Sequence, residues 1–521
     1  MITKDKKRII ILSLIGLLGL CGTFFIQFLT ASNGVGVSPD SVAYISVARN
    51  LSNGEGFITY DGYPFLLQPP LYPILLSVSN TIFSVDPLHS AGLLNSILFG
   101  LIIIGTGFFL LKHLKSLALS LFGTIVVLVS YILMQSALLA LSEMLFIFFL
   151  IMYLNLFDRY EQKADLTSLI LFSISVSLAF LTRYTGIVLI LTGALGILFW
   201  GNNSMKEKYR HLFIFLLITV TPTGVWVFRN LILSGTFVGQ RGESSFTFET
   251  NLRLLFDVIL KWFFKVQIDT IQIIPIMSAL TIGILIGVIY LIRLKRTDYP
   301  KYLLKSVPIF LFALFYIMLI VISSTTTAYD KISTRLLSPV FIPVVILIFM
   351  GFDYFDTRLK SGLKHIFIST IIFITIGYWI HHQVTNTTYI VNDFISRSGE
   401  EYSSDIWKNS SIINFLNNHN EIKNNYSFYS NAPEAVYILT NLETKWSPQK
   451  TVYNSTLPVI NDAMLKNLWY DKSEICLIWF SSINRKFLFT IDELHKSAVL
   501  KKIIQLKDGD IYIVSNPLSN L

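Results

Sequence analysis

Charged residues are scarce in this chain, since Asp, Glu, Lys and Arg together make up 14% of its 521 residues. Soluble domains contain roughly a quarter charged residues, whereas hydrophobic residues account for 53% of this sequence. This balance excludes a wholly soluble globular protein. It predicts a polytopic membrane protein with some soluble mass.

Cysteine is almost absent, with Cys21 in the first apolar segment and Cys476 in the C-terminal region. This excludes a disulfide framework and a cysteine-based metal site. The sequence also lacks a glycine-rich phosphate loop and a Ser-His-Asp order of catalytic residues, and its eight histidines have no metal-binding spacing. A divalent ion held by Asp40 and Glu143 stays an open alternative.

Long apolar segments are the main feature that is present. Taking about 18 to 22 apolar residues per span predicts roughly 11 transmembrane helices. Their approximate cores are residues 9–30, 88–111, 117–134, 138–157, 166–182, 185–200, 211–230, 271–292, 304–322, 336–351 and 365–382. Residues 32–87 are too interrupted by Gly, Pro and polar residues to form one span, and are expected to be a structured first loop.

Basic residues indicate the orientation of these spans. Six short links rich in Lys and Arg, from residues 4–8 to residues 358–364, alternate with links poorer in basic residues. Because Lys and Arg accumulate in cytoplasmic loops, we expect a cytoplasmic membrane protein with its N-terminus inside and its C-terminal region outside. The formal charge of +9 therefore reflects orientation signals and not nucleic-acid binding. The first apolar run is longer than the about 7 to 15 residues of a signal peptide, so we expect it to be retained.

The C-terminal region has a globular pattern. It predicts a helix at 403–418, a strand at 426–430, a helix opened by Pro433, a strand at 474–480, a helix at 491–497, and a hairpin of 499–506 with 511–515. The predicted fold class is an all-α polytopic membrane domain, residues 1–382, followed by a small extracytoplasmic α/β domain, residues 383–521.

Asp40 is the first acidic residue after the first span, at the start of a predicted helix on the outer side. Ser38 is suited to the N-cap and Pro39 to the first helical position. Asp40 and Tyr44 share one face of that helix. A carboxylate at this place suits a base for a lipid-borne substrate, and the alternative is simple stabilisation by the helix dipole, worth about 0.3 to 1 kcal/mol.

Glu143 and two arginines are the other candidates. Glu143 lies in an apolar stretch near an outer helix end, where an ionisable residue is either functional or a hydrated helix-start carboxylate. Arg183 and Arg335 begin or end spans on the same side, and their planar forks suit phosphate oxygens. The alternative for each arginine is snorkelling at the interface. Lys331, Arg229 and Arg241 are weaker candidates of the same kind.

Several short motifs together resemble the GT-C class of polytopic glycosyltransferases, and most closely the bacterial protein O-mannosyltransferase and lipid A aminoarabinose transferase families. The resemblance covers about the first 350 residues. The motifs that carry it are Asp40-Ser41-Val42-Ala43-Tyr44 with Ala48, Gly54-Glu55-Gly56-Phe57, Gln68-Pro69-Pro70-Leu71-Tyr72-Pro73, Ser142-Glu143, Thr182-Arg183 and Arg335-Leu336-Leu337-Ser338-Pro339.

The resemblance implies a GT-C-like fold and a glycosyltransferase with a sugar on a polyprenyl phosphate as donor. The acceptor would be an extracytoplasmic glycan, lipid or protein. Asp40 would be the base or positioning group, and Arg183 and Arg335 would bind the donor phosphate. Tyr44 and Lys331 are further candidates for substrate binding. The O-mannosyltransferases have two adjacent acidic residues in the first loop, whereas Ser41 follows Asp40 here. This makes a protein acceptor less expected and leaves Glu143 as the second carboxylate.

Two other functions stay open at this point. In a transporter or flippase, Glu143, Arg183 and Arg335 would line a translocation path, although such proteins tend to have repeated halves with broken helices near the membrane centre. A non-catalytic GT-C-like scaffold would present the C-terminal domain to partners. The transferase requires that Asp40, Glu143, Arg183 and Arg335 line one outward-facing cavity that opens sideways to lipid.

Overall fold

In the computed structural model, the described residues are 4–200, 204–265, 301–358, 362–419, 426–453, 458–460 and 475–515. Most of them are helical. The helices before the C-terminal domain are α1 (Lys4–Asn33), α2 (Pro39–Ser52), α3 (Leu71–Phe83), α4 (Pro87–His113), α5 (Leu117–Leu128), α6 (Tyr131–Ala137), α7 (Glu143–Lys163), α8 (Leu166–Thr182), α9 (Ile187–Phe199), α10 (Met205–Ser234), α11 (Phe248–Lys261), α12 (Lys301–Thr326), α13 (Thr334–Arg358) and α14 (Leu363–Ser396).

The described part of the chain has six helices that are long and apolar enough to cross a membrane, and up to seven if α5 and α6 form one bent span. The expected count of eleven is therefore not confirmed within the described residues. Helices α8 and α9 are shorter than the about 20 residues that a span needs, and α7 carries four charged residues in its last turns. The predicted segment 271–292 lies outside the described residues. The prediction of a helical, multi-pass protein is confirmed.

Two predicted spans have different boundaries in the structure. The segment 117–134 is divided into α5 and α6, which meet at an angle of 45°. Ser130 causes this break, because its side chain accepts a hydrogen bond from the Leu133 amide and starts a new helix. The segment 138–157 becomes helical only at Glu143, because residues 138–140 form backbone hydrogen bonds with Gly36.

The C-terminal region contains the predicted small α/β fold. Its elements are α15 (Asp405–Lys408), α16 (Ser411–Asn418), β1 (Ser427–Ser430), α17 (Pro433–Thr440), β2 (Thr444–Trp446), β3 (Ile475–Phe480), α18 (Ile491–His495), β4 (Val499–Leu506) and β5 (Gly509–Ser515). The strand order is β2-β1-β3-β5-β4. Strand β1 is parallel to β2 and β3, and β5 is antiparallel to β3 and β4.

Three details of this region differ from the sequence prediction. Strand β2 was not predicted. The expected helix 403–418 is divided where the Ser410 side chain caps α16. Helix α14 continues to Ser396, beyond the expected domain boundary at residue 382.

The short segment 36–37 joins three parts of the molecule just before α2. Gly36 pairs with the link between α6 and α7, and Val37 pairs with the start of the C-terminal domain. The four backbone bonds are Gly36 N to Leu138 O (2.8 Å), Ala140 N to Gly36 O (2.9 Å), Val37 N to Glu400 O (3.2 Å) and Tyr402 N to Val37 O (3.0 Å). This segment therefore fixes the position at which α2 begins.

Gly36→Ala tests the importance of that close contact. A Cβ atom at this position would lie 2.7 Å from the Leu139 side chain and 3.1 Å from the Leu138 carbonyl oxygen. We expect a loss of about 1 to 3 kcal/mol of stability, as for other overpacked sites, measured as a lower melting temperature of the purified protein. Gly16→Ala is the matched control, because a Cβ there meets nothing within 4 Å. Equal melting temperatures for both variants would contradict the role given to segment 36–37.

Candidate active site

Asp40 lies in the first turn of α2, and the predicted cap of this helix is confirmed. The Ser38 side chain accepts from the Ser41 amide at 3.3 Å, and the Ser41 side chain accepts from the Ser38 amide at 3.1 Å. Pro39 occupies the first helical position. The Asp40 side chain is 41% exposed, and its Oδ1 accepts a hydrogen bond from Gln68 Nε2 at 3.3 Å.

Glu143 lies beneath Asp40 and binds both predicted arginines. Its side chain is 2% exposed, and its Oε1 is 2.8 Å from Arg183 Nη1 and 3.8 Å from Arg335 Nε. Arg335 also contacts Asp40 Oδ2 through Nη1 at 3.2 Å and Asp330 Oδ2 through Nη2 at 2.9 Å. The four central residues predicted from the sequence therefore form one connected ion-pair cluster.

All four residues of this cluster lie at helix ends. Asp40 is in the first turn of α2, Glu143 is the first residue of α7, Arg183 follows the last residue of α8, and Arg335 is in the first turn of α13. Helices α7 and α8 are consecutive and pack together, so the start of one and the end of the other lie on the same side. The cluster thus belongs to one face of the helical bundle.

Tyr44 lies one turn after Asp40, as the helical spacing predicts. Its ring is buried and packs edge-on against Phe65 and Tyr72. Its hydroxyl is 3.1 Å from the Ser142 hydroxyl, to which Arg183 Nη1 also donates at 3.3 Å. Tyr44 therefore connects α2 to the residues around Glu143.

A cavity of about 390 Å³ lies above the cluster. Asp40, Tyr44, Arg183 and Arg335 line it, but Glu143 does not, so the expectation that all four cluster residues line one cavity is met for three of them. Apolar residues form another part of its wall, namely Leu67, Pro69, Ile187, Leu319, Ile320 and Leu336. The cavity thus combines a charged end with apolar sides, which suits an amphipathic ligand.

Other residues at the cavity were missed or ranked low in the sequence. Arg241 lines the cavity and stacks over the Tyr329 ring, with 4.4 Å from its Cζ to the ring centre. Asp330 also lines it and accepts a hydrogen bond from the Tyr453 hydroxyl of the C-terminal domain at 3.0 Å. In the sequence, only its proximity to Arg335 indicated that Asp330 could belong to this site. Nothing in the sequence linked Tyr453 to this site.

The remaining weak candidates lie elsewhere. Lys331 is exposed, and its Nζ lies 5.6 Å from the centre of the Phe246 ring. It is not among the cavity residues. Arg229 donates to the Phe65 carbonyl oxygen at 2.9 Å and stacks on Trp226. Arg229 therefore supports the first loop.

The arrangement does not favour a metal ion between Asp40 and Glu143. The guanidinium of Arg335 contacts both carboxylates and so occupies the position that a shared cation would take. Within the described residues there is no group of three or more His, Cys, Asp or Glu side chains placed to hold a metal.

Comparison with known proteins agrees with the resemblance to GT-C glycosyltransferases. The family model described as dolichyl-phosphate-mannose-protein mannosyltransferase matches residues 67–226. ArnT from Cupriavidus metallidurans in the apo state is 12% identical with a TM-score of 0.60, and the match covers 96% of this chain and 98% of that one. The same values apply to ArnT bound to undecaprenyl phosphate, apart from an identity of 11%.

A second structure extends the comparison. Archaeal oligosaccharyltransferase AglB from Archaeoglobus fulgidus, in complex with an inhibitory peptide and a dolichol-phosphate, is 11% identical with a TM-score of 0.55. That match covers 99% of this chain and 75% of that one. This chain has the GT-C fold. Its resemblance to the O-mannosyltransferases and ArnT, expected from the short motifs, is confirmed. A search of curated proteins gives no match.

The first residues of the C-terminal domain add an ionisable group near the GT-C cavity. Burial against the protein and the neighbouring Glu400 together raise the pKa of Glu401 to about 7, although Arg335 acts in the opposite direction. Glu401 is nevertheless an exposed residue, so solvent screening reduces the effect of this raised pKa on stability. The carboxylates of Asp40 and Asp330 also raise this pKa. Glu401 is therefore close enough to the cluster to be influenced by its charges.

Glu401→Gln tests this environment through stability. The pKa in the folded protein lies above that of an unfolded glutamate, about 4.3, so the charged form is unfavourable to the folded state. This penalty is absent below about pH 4 and fully present above about pH 7. We expect the variant to melt at a higher temperature than the wild type at pH 8 and at an equal temperature at pH 4. A lower melting temperature at pH 8 would contradict the raised pKa.

Proposed function

We propose that this protein is a membrane glycosyltransferase that moves a sugar from a polyprenyl-phosphate donor to an extracytoplasmic acceptor. The observation that carries this proposal is the cavity in which Asp40, Arg183 and Arg335 face apolar walls. A phosphate joined to an isoprenoid needs both charged donors and an apolar surface. The GT-C fold supports the proposal, since ArnT of that fold has been solved with undecaprenyl phosphate.

The difference in burial between the two carboxylates supports a different role for each. Asp40 is 41% exposed and lines the cavity, whereas Glu143 is 2% exposed and paired with arginine. A general base must come within hydrogen-bond distance of the proton that it accepts. Asp40 meets that requirement for an acceptor hydroxyl in the cavity. Glu143 acts instead as a positioning residue for Arg183 and Arg335.

The proposed step forms one bond and breaks one bond. The acceptor oxygen attacks the anomeric carbon while Asp40 takes the proton from the acceptor hydroxyl. The bond between the anomeric carbon and the phosphate oxygen breaks, and polyprenyl phosphate leaves with the electron pair. Guanidinium groups near this oxygen stabilise the negative charge that develops on it.

The donor phosphate is best placed near Arg183 and Arg241. Arg335 is already in contact with three carboxylates, those of Asp40, Glu143 and Asp330. The Nε atoms of Arg183 and Arg241 are buried and lack a hydrogen-bond partner among the described residues. Both arginines line the cavity and contact fewer carboxylates than Arg335 does within the described residues, so they are better placed to donate to phosphate oxygens. This placement moves Arg241 up from the weaker candidates expected from the sequence.

The position of the cluster favours a transferase over a transporter. A translocation path requires polar groups at the middle of the membrane. Here the charged residues of the cluster lie at helix ends on one face of the bundle. A non-catalytic scaffold makes a different prediction, because it would transfer no sugar.

Asp40→Asn tests the proposed base. We expect a loss of about a hundredfold to ten-thousandfold in transfer, because general-base catalysis contributes that much. The measurement is transfer of radiolabelled sugar from a panel of polyprenyl-phosphate sugars by the purified protein in liposomes. Asp257→Asn is the matched control, because this carboxylate pairs with Lys261 and does not line the cavity. Unchanged transfer by Asp40→Asn would remove Asp40 from the base role. No transfer by the wild type from any donor would favour the scaffold.

Arg241→Ala tests the placement of the donor phosphate. A hydrogen bond to a charged group contributes about 1.5 to 3 kcal/mol, so we expect kcat/KM for the donor to fall by about tenfold or more. Lys331→Ala is the control, because this nearby cation lies outside the cavity. Equal effects of the two substitutions would show that only the general positive charge of the region matters.

A further inference from the structure

A second cavity, of about 740 Å³, lies between the first loop and the C-terminal domain. One wall is the end of α2 with the loop that follows it, and the opposite wall is α17 with the residues after it. The two walls are held together. Arg49 binds Asp86 through two hydrogen bonds of 2.9 and 3.1 Å and stacks over the Tyr437 ring of the opposite wall. The rings of Tyr60 and Tyr437 lie 5.8 Å apart.

The lining is polar and rich in amide groups. It contains five asparagines, three carboxylates, two tyrosines and one cation, which are Asn50, Asn53, Asn80, Asn417 and Asn441; Glu55, Asp86 and Glu443; Tyr60 and Tyr437; and Arg49. An asparagine amide both donates and accepts, so it can pair with adjacent hydroxyl groups. A tyrosine offers an apolar ring with a polar tip.

Several of these groups are available to a ligand. The side chains of Asn53, Glu55, Asn80 and Glu443 make no intramolecular hydrogen bond within the part of the chain that the structure describes. The single cation, Arg49, is already paired with Asp86. The cavity therefore has an excess of negative charge, which disfavours phosphates and uronates. Its apolar lining is limited to Ile58, Ile438 and Leu439, which disfavours a lipid chain.

We propose that this second cavity binds a neutral or amine-bearing oligosaccharide. Neutral sugars present the vicinal hydroxyls that asparagine amides bind, and an amino sugar adds a cation for Glu55 and Glu443.

The position of the cavity indicates that the oligosaccharide belongs to the acceptor, an assignment that rests on the proposed transferase function. Arg49 is nine positions after Asp40 on the same helix, which corresponds to about 14 Å along its axis. A sugar bound in this cavity is therefore too far from Asp40 to react itself. It would hold a longer acceptor whose end reaches the first cavity.

Isothermal titration calorimetry with the full chain in lipid nanodiscs, without glycoside detergent, tests the binding. The probes are tetra-N-acetylchitotetraose, its deacetylated amine form, and tetragalacturonic acid. We expect the neutral or the amine-bearing probe to bind, with the anionic probe weaker by about tenfold or more. In the double variant Asn53→Ala/Asn80→Ala, we expect the affinity to fall by about tenfold, since two hydrogen bonds are lost.

Asn414→Ala is the matched control, because this exposed asparagine lies on the same helix as Asn417 but outside the cavity. Absence of binding by all three probes, equal binding of the anionic probe, or full affinity in the double variant would overturn the proposal.

Comparing oligosaccharide binding with sugar transfer, in the wild type and in Asp40→Asn, separates the cavity assignment from the proposed transferase function. If the oligosaccharide binds but the wild type transfers no sugar, the proposed function fails and the cavity assignment stands. If transfer occurs and the double variant keeps its acceptor KM, the cavity assignment fails alone.

Discussion

The pairing of a buried Glu143 with Arg183 and Arg335 is the interaction on which the site depends. A buried carboxylate is stable only when it is paired and hydrogen-bonded, and removing one partner of such a pair costs about 3 to 5 kcal/mol. Glu143 begins α7, Arg183 follows α8 and Arg335 begins α13. One carboxylate therefore fixes three helix ends relative to each other. The N-terminal dipole of α7 adds a smaller stabilisation in the same direction.

Arg335 transmits this constraint to Asp40. Its guanidinium contacts the buried carboxylate of Glu143 on one side and the exposed carboxylate of Asp40 on another. Asp40 is consequently held at the cavity without being buried, so it can exchange protons with a substrate. Segment 36–37 provides the second constraint, because it determines where α2 starts. The position of the proposed base thus depends on both a side-chain pair and a backbone contact.

Much of this arrangement was predictable because it depends on residues that lie close together in the sequence. The cap formed by Ser38, the helical spacing of Asp40 and Tyr44, and the hairpin β4–β5 all depend on residues close together in the chain. The joining of Asp40, Glu143, Arg183 and Arg335 also followed, since basic links placed their helix ends on one side. Boundaries set by distant contacts were not predictable. The start of α7 at Glu143 depends on backbone pairing with Gly36, more than a hundred residues earlier.

The C-terminal domain contributes to the site in a way that local patterns could not reveal. The Tyr453 hydroxyl donates to Asp330, and Asp330 contacts the same guanidinium that binds Asp40 and Glu143. A polar chain therefore leads from the domain to the proposed base. Tyr402 of the domain also pairs with Val37. The domain therefore contacts both the ion-pair cluster, through Asp330, and the segment just before α2. The domain thus supports the candidate active site, because it supplies the hydrogen bond from Tyr453 to Asp330 and the backbone pairing of Val37.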